Sequence, residues 1–508
     1  MARFEFFPRI CIALGFADPE ALLDHARREA EAGETFFEFR LDYLERPEQG
    51  IKVLKSFLER HPEGAVLAAC RRRANHGSFT GTVEEQFRVL EAAVKAGAAA
   101  VDLEVESAEA APPRAEALRE RARLLLSHHN YENTPALEPV LRRLMRIPAD
   151  GYKLVTTARK PSDNYRLLAL AKAHPRVPLV LMAMGEIGFP SRVLSVAYGA
   201  LHTYAAPAAA PGTAPGQVSA RQLRHLYRLD RLAKTAKVYG VIAHPVEHSL
   251  SPAVHNRAFQ SRRLSAVYLP FLVPPTQLGD FFRLAEQLPL AGFSVTIPHK
   301  QKVMRHLDVV DCLARRIGAV NTVWRKTGRW RGANTDTDGV RLPLERRLRL
   351  AGASILLAGN GGAARGAAFT LTDAGAKLTI VGRNLERVRA LARACGAEAL
   401  SRDALGSRHF DGLIHATPLG MFPKTGECFF PDRIPADVVF DMVYNPQETT
   451  LLRRAREQGK TVIPGLEMFT EQAARQFEIW TGETAPRAAM ERAAREALLR
   501  LAQPIMSS

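Results

Sequence analysis

The chain of 508 residues has little cysteine, few aromatic side chains and no long apolar run. Its five cysteines are far apart and form no CxxC pair, which argues against a disulfide framework or a zinc site and fits a reducing cytosol. Because no stretch reaches 18 apolar residues, we expect no membrane span, and because residues 1–10 show no signal sequence, we expect a cytoplasmic protein. The cysteines are Cys11, Cys70, Cys312, Cys395 and Cys428.

Negative charge is scarce as well. The chain has 53 Asp and Glu residues against 70 Lys and Arg residues, which gives a formal net charge of +17. A basic chain can bind nucleic acid, an acidic membrane surface or small anions. The basic residues are spread along the whole chain, and no basic block is interleaved with aromatic residues, which make up 7%. The distribution favours a solvated basic surface and an anionic small-molecule substrate over nucleic-acid binding.

Short apolar runs alternate with amphipathic segments, such as 19–32 and 83–96, throughout the first half. Such alternation predicts parallel strands joined by helices. Eight runs in series predict an α/β fold of the (β/α)8 barrel type. The predicted strands are 9–14, 35–41, 65–70, 98–105, 123–128, 151–156, 178–184 and 193–198.

A segment rich in proline, alanine and glycine, 205–216, follows these runs. Taken alone it is typical of an interdomain linker. Helical periodicity resumes over 217–234, however, and a helix there would close the barrel and make the segment an active-site loop. We place the boundary near Thr235 and predict three domains: a barrel at 1–234, a substrate lobe at 236–338 completed by C-terminal helices at 467–508, and a dinucleotide lobe at 339–466.

Charged residues lie at the predicted carboxyl ends of several barrel strands, where barrel enzymes place their catalytic groups. A lone histidine or arginine there is usually a cap or a solvated side chain. Lys153 is harder to dismiss, because a lysine inside an apolar strand must be paired, neutralised or functional. Burial disfavours the ammonium form, and a neutral amine attacks ketones. A nearby histidine would be the natural proton carrier.

Residues 1 to about 233 resemble type I 3-dehydroquinate dehydratases through five groups of residues. The groups are Glu38-Phe-Arg40-Leu-Asp42, His129-Asn-Tyr-Glu-Asn-Thr134-Pro135, Lys153, Met182-Ala-Met184-Gly185 with Ser191-Arg192, and Thr213-Ala-Pro-Gly-Gln217. The resemblance implies dehydration through an imine on Lys153, with His129 moving the protons and the 205–216 segment acting as a lid. It also implies a substrate-binding set of Glu38, Arg40, Arg71, Arg192, Thr213 and Gln217, in which Arg192 holds the carboxylate.

Two positions depart from this family. Asn75 stands where a glutamate usually lies beside the histidine, so it can orient the ring of His129 but cannot stabilise an imidazolium by charge. We therefore expect a less basic His129, or a contribution from His76. Thr213 replaces the lid serine and keeps its hydroxyl.

A second α/β pattern begins at Lys237, with predicted strands at 238–242, 266–271 and 292–295 and then at 354–357, 377–381, 412–415 and 437–441. These runs predict two lobes with a cleft between them. The segment from Gly359 to Ala364 follows a predicted strand and precedes a helix, as a dinucleotide-binding turn requires. Arg383 and Arg387 follow the next strand, where an NAD enzyme usually has an acid, which favours NADP.

Residues from about 237 to 485 resemble shikimate dehydrogenases. The resemblance implies that Lys300 and Asp336 form the catalytic pair. The implied substrate-binding residues are Ser249, Ser251, Thr296, Asn321, Tyr444 and Gln472. The predicted cofactor-binding residues are Gly359, Gly361, Gly362, Ala363, Arg383, Asn384, Arg387, Thr417 and Gly465. The chain departs from this family at Ser294 and His415, where asparagine is common.

The two resemblances reinforce each other, because the product of the first reaction, 3-dehydroshikimate, is the substrate of the second. Together they imply a bifunctional enzyme of the shikimate pathway, with small-molecule partners, no metal and an oligomeric state left open. One alternative keeps the fold but oxidises quinate, and a comparison of quinate and shikimate turnover separates it. Another is a basic nucleic-acid-binding scaffold with inactive sites.

Overall fold

The computed structural model describes residues 7–502. By the density of internal contacts, the chain divides into two compact units, one of residues 7–236 with 270–289 and one of residues 237–269 with 290–502. No helix within 7–502 is long and apolar enough to cross a membrane. Predictions for residues 1–6 and 503–508 lie outside the described residues, and the three-domain boundaries stay a prediction.

The first unit contains eight parallel strands with neighbours in the order β7-β6-β5-β4-β3-β2-β1-β8. The end strands approach each other through a hydrogen bond from Leu201 N to Leu179 O of 2.8 Å, so the predicted barrel is confirmed as nearly closed. Its strands are β1 Ile10–Leu14, β2 Phe36–Arg40, β3 Ala65–Ala69, β4 Ala100–Glu104, β5 Arg123–His129, β6 Gly151–Thr157, β7 Leu179–Met184 and β8 Thr203–Ala205. Its helices are α1 Pro19–Glu31, α2 Pro47–Arg60, α3 Val83–Lys95, α4 Val105–Ala110, α5 Pro112–Arg121, α6 Leu137–Leu144, α7 Asp163–Ala173 and α8 Phe189–Ala197.

The first seven predicted barrel strands are confirmed, and the eighth is wrong. Most of the predicted strand 193–198 lies in α8, and the eighth strand is Thr203–Ala205. The helix is buried on nearly all sides, so its apolar run shows no helical period and looks like a buried strand. The predicted helix 217–234 forms only in part, as the short helical segments Gln222–Leu226 and Leu229–Arg231, because Arg228, at φ +51°, interrupts it in a left-handed conformation.

Alternate residues of each barrel strand face the barrel interior. An apolar cluster that includes Cys11, Leu67, Leu125 and Val155 fills it. Lys153 lies two residues before Val155 on β6 and therefore on the same face of the sheet. The alternation thus points the amine inward, among side chains from the neighbouring strands.

A mixed six-stranded sheet follows along the chain, in the order β10-β9-β11-β13-β14-β12. Strands β9 and β11 are parallel, whereas β13 pairs antiparallel with both β11 and β14. The strands are β9 Lys237–Ala243, β10 Ala266–Leu272, β11 Leu290–Val295, β12 Val309–Val310, β13 Thr322–Lys326 and β14 Arg329–Ala333. The helices in this part of the chain are α9 Ser251–Ser261, α10 Leu278–Gln287, α11 Cys312–Ile317 and α12 Asp336–Glu345.

The third sheet is entirely parallel, in the order β17-β16-β15-β18-β19-β20, which is the Rossmann order. The strands are β15 Ser354–Ala358, β16 Lys377–Val381, β17 Glu398–Leu400, β18 Phe410–His415, β19 Ala436–Asp441 and β20 Thr461–Ile463. The helices are α13 Gly362–Asp373, α14 Leu385–Cys395, α15 Thr450–Glu457, α16 Gly465–Thr481 and α17 Arg487–Ala502. All seven strands predicted for the second half are confirmed, and the chain order reverses between β15 and β18, where such sheets bind ligands.

Candidate active sites

A cavity of about 260 Å³ opens at the carboxyl ends of the barrel strands. Its wall brings together every residue that the sequence predicted for the first site, although they come from three strands (β2, β5 and β6), the segment after β3, α8 and the loop after β8. These residues are Glu38, Arg40, Arg71, His129, Lys153, Arg192, Thr213 and Gln217. The 205–216 segment contributes Thr213 to this wall, and the side chains of Thr213 and Gln217 approach each other at 3.4 Å.

Lys153 is almost fully buried and has two carboxylate partners. Its Nζ donates to Oδ2 of Asp102 at 2.8 Å and to Oε1 of Glu38 at 3.2 Å. The same nitrogen lies 4.0 Å from the centre of the Tyr204 ring. The sequence predicts a buried amine, and the structure adds two carboxylates and an aromatic ring face as its neighbours.

The carboxylate of Asp102 stays ionised in this arrangement. Burial raises the pKa of Asp102, but the charges of Lys153 and Arg71 and a hydrogen bond from Ser127 outweigh burial and hold that pKa below its ordinary value. The buried pair is therefore an ion pair that keeps the amine in place until substrate arrives.

His129 lies at the cavity wall as a neutral imidazole. Loss of solvent lowers the pKa of His129 well below the usual value, and the positive charges of Arg71, Lys153 and Arg40 lower the pKa further. Within 7–502, no side chain is recorded as hydrogen-bonded to the ring, which stacks loosely on Tyr131 at 6.1 Å between centroids. A neutral ring is ready to accept a proton near pH 7.

Asn75 does not orient His129. Its Nδ2 donates to Oε2 of Glu106 at 3.0 Å, and Oε1 of Glu106 lies 3.7 Å from Nδ1 of the neighbouring His128. His76 is exposed, and its ring lies 4.4 Å from that of Tyr131. The low basicity of His129 therefore comes from its burial and from the surrounding cations rather than from Asn75.

Arg192 is a buried cation without a carboxylate partner among the described residues. Its NH2 donates to the carbonyl of Pro215 at 3.0 Å, and its Nε has no partner within 7–502. Burial lowers the pKa of Arg192 to about 10, so the guanidinium is still charged at neutral pH. An uncompensated buried charge is costly, and a carboxylate bound in the cavity would compensate it.

Two neighbours of Lys153, Asp102 and Tyr204, were not predicted from the sequence. The sequence feature that singled out Lys153 is also present at Asp102. It is a charged residue inside the apolar run of β4, at a position whose side chain faces the barrel interior. Tyr204 was missed because the eighth strand was predicted at 193–198. The observed strand, Thr203–Ala205, begins ten residues later.

The second site is built around an ion pair in the second unit. Nζ of Lys300 donates to Oδ2 of Asp336 at 2.6 Å, and Nδ2 of Asn321 donates to the other carboxylate oxygen at 2.8 Å. Asp336 is the first residue of α12, and Asn321 directly precedes β13. The carboxylate is thus oriented by two donors, and Lys300 keeps about a third of its side chain exposed for a substrate.

The other residues predicted for this site lie in three places. Ser249 Oγ accepts from the backbone N–H of Ser251 at 3.3 Å, and Ser251 begins α9. Gln472, on α16, donates to the carbonyl of Phe469 at 3.0 Å, and the Phe469 ring lies 5.4 Å from that of Tyr444. Thr296 directly follows β11, whose neighbour in the sheet is β13.

The turn between β15 and α13 is shaped for a dinucleotide. Gly359 has φ +130°, and a Cβ there would lie 2.7 Å from the carbonyl of Ala416. A Cβ on Gly361 or Gly362 would meet nothing within 4 Å, so the backbone is open to a ligand. Helix α13 begins at Gly362 and directs free N–H groups at this space, as pyrophosphate binding requires.

Two exposed arginines follow β16. Neither Arg383 nor Arg387 has an ion-pair partner recorded within residues 7–502. Asn384 caps α14 by accepting from the N–H of Arg387 at 3.0 Å, which fixes the start of that helix. The sequence predicted this group for a 2′-phosphate, and its free guanidinium groups fit that chemistry.

His415, one of the two departures from the second family, joins the ends of β18 and β19. Its Nδ1 lies 2.9 Å from Oδ1 of Asp441, and its Nε2 bonds the hydroxyl of Thr417. The methyl of Thr417 would lie 3.4 Å from a Cβ on Gly359, so Thr417 packs against the turn. Gly465 is buried, and a Cβ there would lie 2.5 Å from the carbonyl of Val443, so protein packing accounts for this glycine.

Comparison with family models finds three matches. Type I 3-dehydroquinase matches residues 10–234, the shikimate dehydrogenase substrate binding domain matches 241–323, and the shikimate 5'-dehydrogenase C-terminal domain matches 465–495. The matched regions contain three of the four residues that the sequence predicted to be catalytic, namely His129, Lys153 and Lys300. The fourth, Asp336, lies between the second and third matches.

Three curated relatives are similar to the chain. The bifunctional 3-dehydroquinate dehydratase/shikimate dehydrogenase of Arabidopsis thaliana, named chloroplastic, is 34% identical, over 94% of this chain and 83% of that protein. The shikimate biosynthesis protein AroDE of Chlamydia pneumoniae is 33% identical, over 71% of this chain and 74% of that protein. The NADP(+) shikimate dehydrogenase of Symbiobacterium thermophilum is 43% identical, over 52% of this chain and 95% of that protein.

Proposed function

Because the chain belongs to the family of bifunctional 3-dehydroquinate dehydratase/shikimate dehydrogenases, we propose that Lys153 is the reaction centre of its lyase and the Lys300–Asp336 pair that of its oxidoreductase. The enzyme dehydrates 3-dehydroquinate and reduces the resulting 3-dehydroshikimate with NADPH, two consecutive steps of the shikimate pathway. The observation that carries the residue assignment is the convergence of Lys153, His129 and the unpaired Arg192 on one cavity. A coupled assay with 3-dehydroquinate and NADPH, followed by cofactor absorbance, tests both steps at once.

In the barrel, Arg192 binds the substrate carboxylate and so places the ketone beside Lys153. The amine gives up a proton to one of its paired carboxylates and attacks the carbonyl carbon, and an imine forms with release of water. The protonated imine withdraws electrons and acidifies the neighbouring C–H bond. His129 removes that proton and then delivers it to the departing hydroxyl, which leaves as a second water. Water finally hydrolyses the imine and restores Lys153.

The low pKa of His129 predicts a dehydratase that stays active in mild acid. A histidine whose pKa is lowered keeps its neutral, proton-accepting form as the pH falls, and loses it only below that lowered pKa. We therefore expect the acid limb of the dehydratase kcat/KM profile to lie below about pH 6.5, the ordinary histidine value. The measurement is a pH–rate profile from pH 5 to 9.

His128→Gln is the matched control for this profile, because His128 precedes the proposed base but faces Glu106. The acid limb should keep its position in that variant. A limb centred at or above pH 6.5 in the parent protein would contradict the assignment of His129 as a cation-surrounded base.

In the dehydrogenase, Lys300 and Asp336 transfer the proton at the reacting oxygen of 3-dehydroshikimate. The 2.6 Å contact makes the pair a proton donor and acceptor in one unit. Ser249 and Ser251 bind the substrate carboxylate at the start of α9, and Asn321, Thr296 and Gln472 bind the ring hydroxyls. The bound NADPH supplies the hydride, and the open glycine turn before α13 holds its pyrophosphate.

The preference for NADPH is assigned to Arg383 and Arg387. Replacement of Arg383 by alanine is expected to raise the KM for NADPH about 10- to 100-fold, because charged hydrogen bonds to the 2′-phosphate are lost. The KM for NADH, which has no such phosphate, should change by less than about threefold. Steady-state kinetics with both cofactors checks this, with the exposed Arg389→Ala on α14 as the matched control. An equal rise of both KM values would contradict the assignment.

We also propose the cytoplasm as the compartment. The proposal is supported by the five cysteines, which are all free thiols. The Arabidopsis relative is named as chloroplastic, and fractionation of cells that produce the protein decides the compartment.

A further inference from the structure

A buried amide on α16, Gln476, joins polar groups that the mechanism above does not use. Its side chain is 1% exposed. Its Oε1 accepts from Oγ of Ser294 at 2.8 Å and lies 3.2 Å from Nε2 of His255. Its Nε2 donates to the carbonyl of Asn321 at 3.2 Å and to Oγ1 of Thr322 at 3.1 Å. Both ends of the amide are therefore bonded, and a reversed amide would set two carbonyl oxygens against each other.

The hydrogen bonds continue from Thr322 to the catalytic pair. The Thr322 hydroxyl donates to Oδ1 of Asn321 at 2.7 Å, and the backbone N–H of Thr335 donates to the same oxygen at 2.7 Å. With its oxygen held by these donors, Asn321 must present Nδ2 to Oδ1 of Asp336, at 2.8 Å. The other oxygen of Asp336 accepts from Lys300.

In the opposite direction, the bonds lead towards the residues assigned to the substrate carboxylate. The Tyr268 hydroxyl donates to Oγ of Ser294 at 2.6 Å and lies near the side chain of Ser251. Ser294 uses its one proton for Gln476 and its oxygen for Tyr268. A chain of hydrogen-bonded side chains thus runs from the catalytic pair to Tyr268, near Ser251, with Gln476 at its middle.

We propose that Gln476 is a positioning residue of the dehydrogenase, which orients Asn321 and, through Asn321, the carboxylate of Asp336. The proposal rests on the function proposed above. It explains the departure at Ser294, because the short serine leaves room for an amide that reaches in from α16. Gln476 lies four residues after Gln472, on the same face of the helix. One helix therefore supplies a substrate-binding amide and the amide that supports the catalytic pair.

The test replaces Gln476 by methionine, which has a similar length but no hydrogen-bonding amide. We expect kcat for 3-dehydroshikimate reduction to fall about 10- to 100-fold and the KM for 3-dehydroshikimate to rise about 3- to 10-fold. The KM for NADPH should stay within about twofold of the parent value, because the glycine turn is not part of the chain of bonds. Arg475→Met is the matched control, since Arg475 is the neighbouring residue on α16 but is half-exposed.

A kcat within about twofold of the parent overturns the proposal. So does a lower kcat with an unchanged KM for 3-dehydroshikimate, because a smaller folded fraction lowers turnover without altering KM. If Gln476→Met does not bind NADPH, Ser294→Ala, which removes a single hydroxyl, takes its place. It should lower kcat about 3- to 10-fold, and unchanged kinetics in that variant overturn the proposal. Absence of turnover in the parent protein would instead refute the proposed function.

Discussion

Replacement of Lys153 by arginine is expected to lower dehydratase turnover by at least about 10⁴-fold, which is about 5.4 kcal/mol in the activation barrier. Arginine keeps the positive charge between Asp102 and Glu38, so the buried carboxylates stay paired and the barrel folds. A guanidinium, however, remains protonated and forms no imine with a ketone. The measurement is the dehydratase kcat together with borohydride reduction in the presence of 3-dehydroquinate, which should yield a covalent adduct on Lys153 in the parent protein alone.

The dehydrogenase of the same variant serves as the internal control, because its catalytic pair lies in the other compact unit. Its turnover should be unchanged. Lys172→Arg is the matched control in the barrel, since Lys172 lies against the rings of Tyr165 and Tyr198 and not in the cavity wall. Retained dehydration in Lys153→Arg, or a borohydride adduct on another residue, would refute the imine mechanism at this position.

Replacement of Lys300 by methionine is expected to lower dehydrogenase kcat about 10³-fold, within the range for loss of a proton-transferring group. In this variant, Asn321 is the side-chain donor that remains bonded to Asp336. The amine that would exchange a proton with the reacting oxygen is absent. The KM for NADPH should change little, because Lys300 is not part of the glycine turn. Steady-state kinetics of 3-dehydroshikimate reduction and shikimate oxidation measures both effects.

Lys302→Met is the control for this substitution, since Lys302 is two residues away and exposed. It should retain full activity, and both variants should dehydrate 3-dehydroquinate at the parent rate. A Lys300→Met enzyme within about tenfold of the parent kcat would mean that another group moves the proton.

The barrel could be predicted because apolar strands and amphipathic helices alternate regularly along the sequence. Seven of its strands carry apolar runs flanked by amphipathic helices, and the eighth was misplaced because α8 is buried on nearly all sides. The predicted residues of the first site all line one cavity because the carboxyl ends of parallel strands meet at one rim. The role of each residue in catalysis stays a prediction.

The charge states of the residues in the barrel site were harder to predict from the sequence than which residues form the site. From the sequence, Lys153 was a buried amine expected to be neutral, and Asn75 was the position expected to set the basicity of His129. The contacts show instead that Asp102 and Glu38 pair the amine, and that burial, with the charges of Arg71, Lys153 and Arg40, sets the low pKa of His129. Charge states follow from every group within a few ångströms, and most of those groups come from other strands.

For the second half, local patterns of a few residues each determined where the seven predicted strands and the glycine turn lie, and the resemblance to a known family predicted the catalytic pair. Only the tertiary structure decided which distant groups touch. Lys153 meets partners 51 and 115 residues away, and Gln476 meets Ser294 and Thr322 across 182 and 154 residues. Local periodicity and turn chemistry are properties of neighbouring residues, whereas the direction of a buried hydrogen bond depends on how sheets and helices pack.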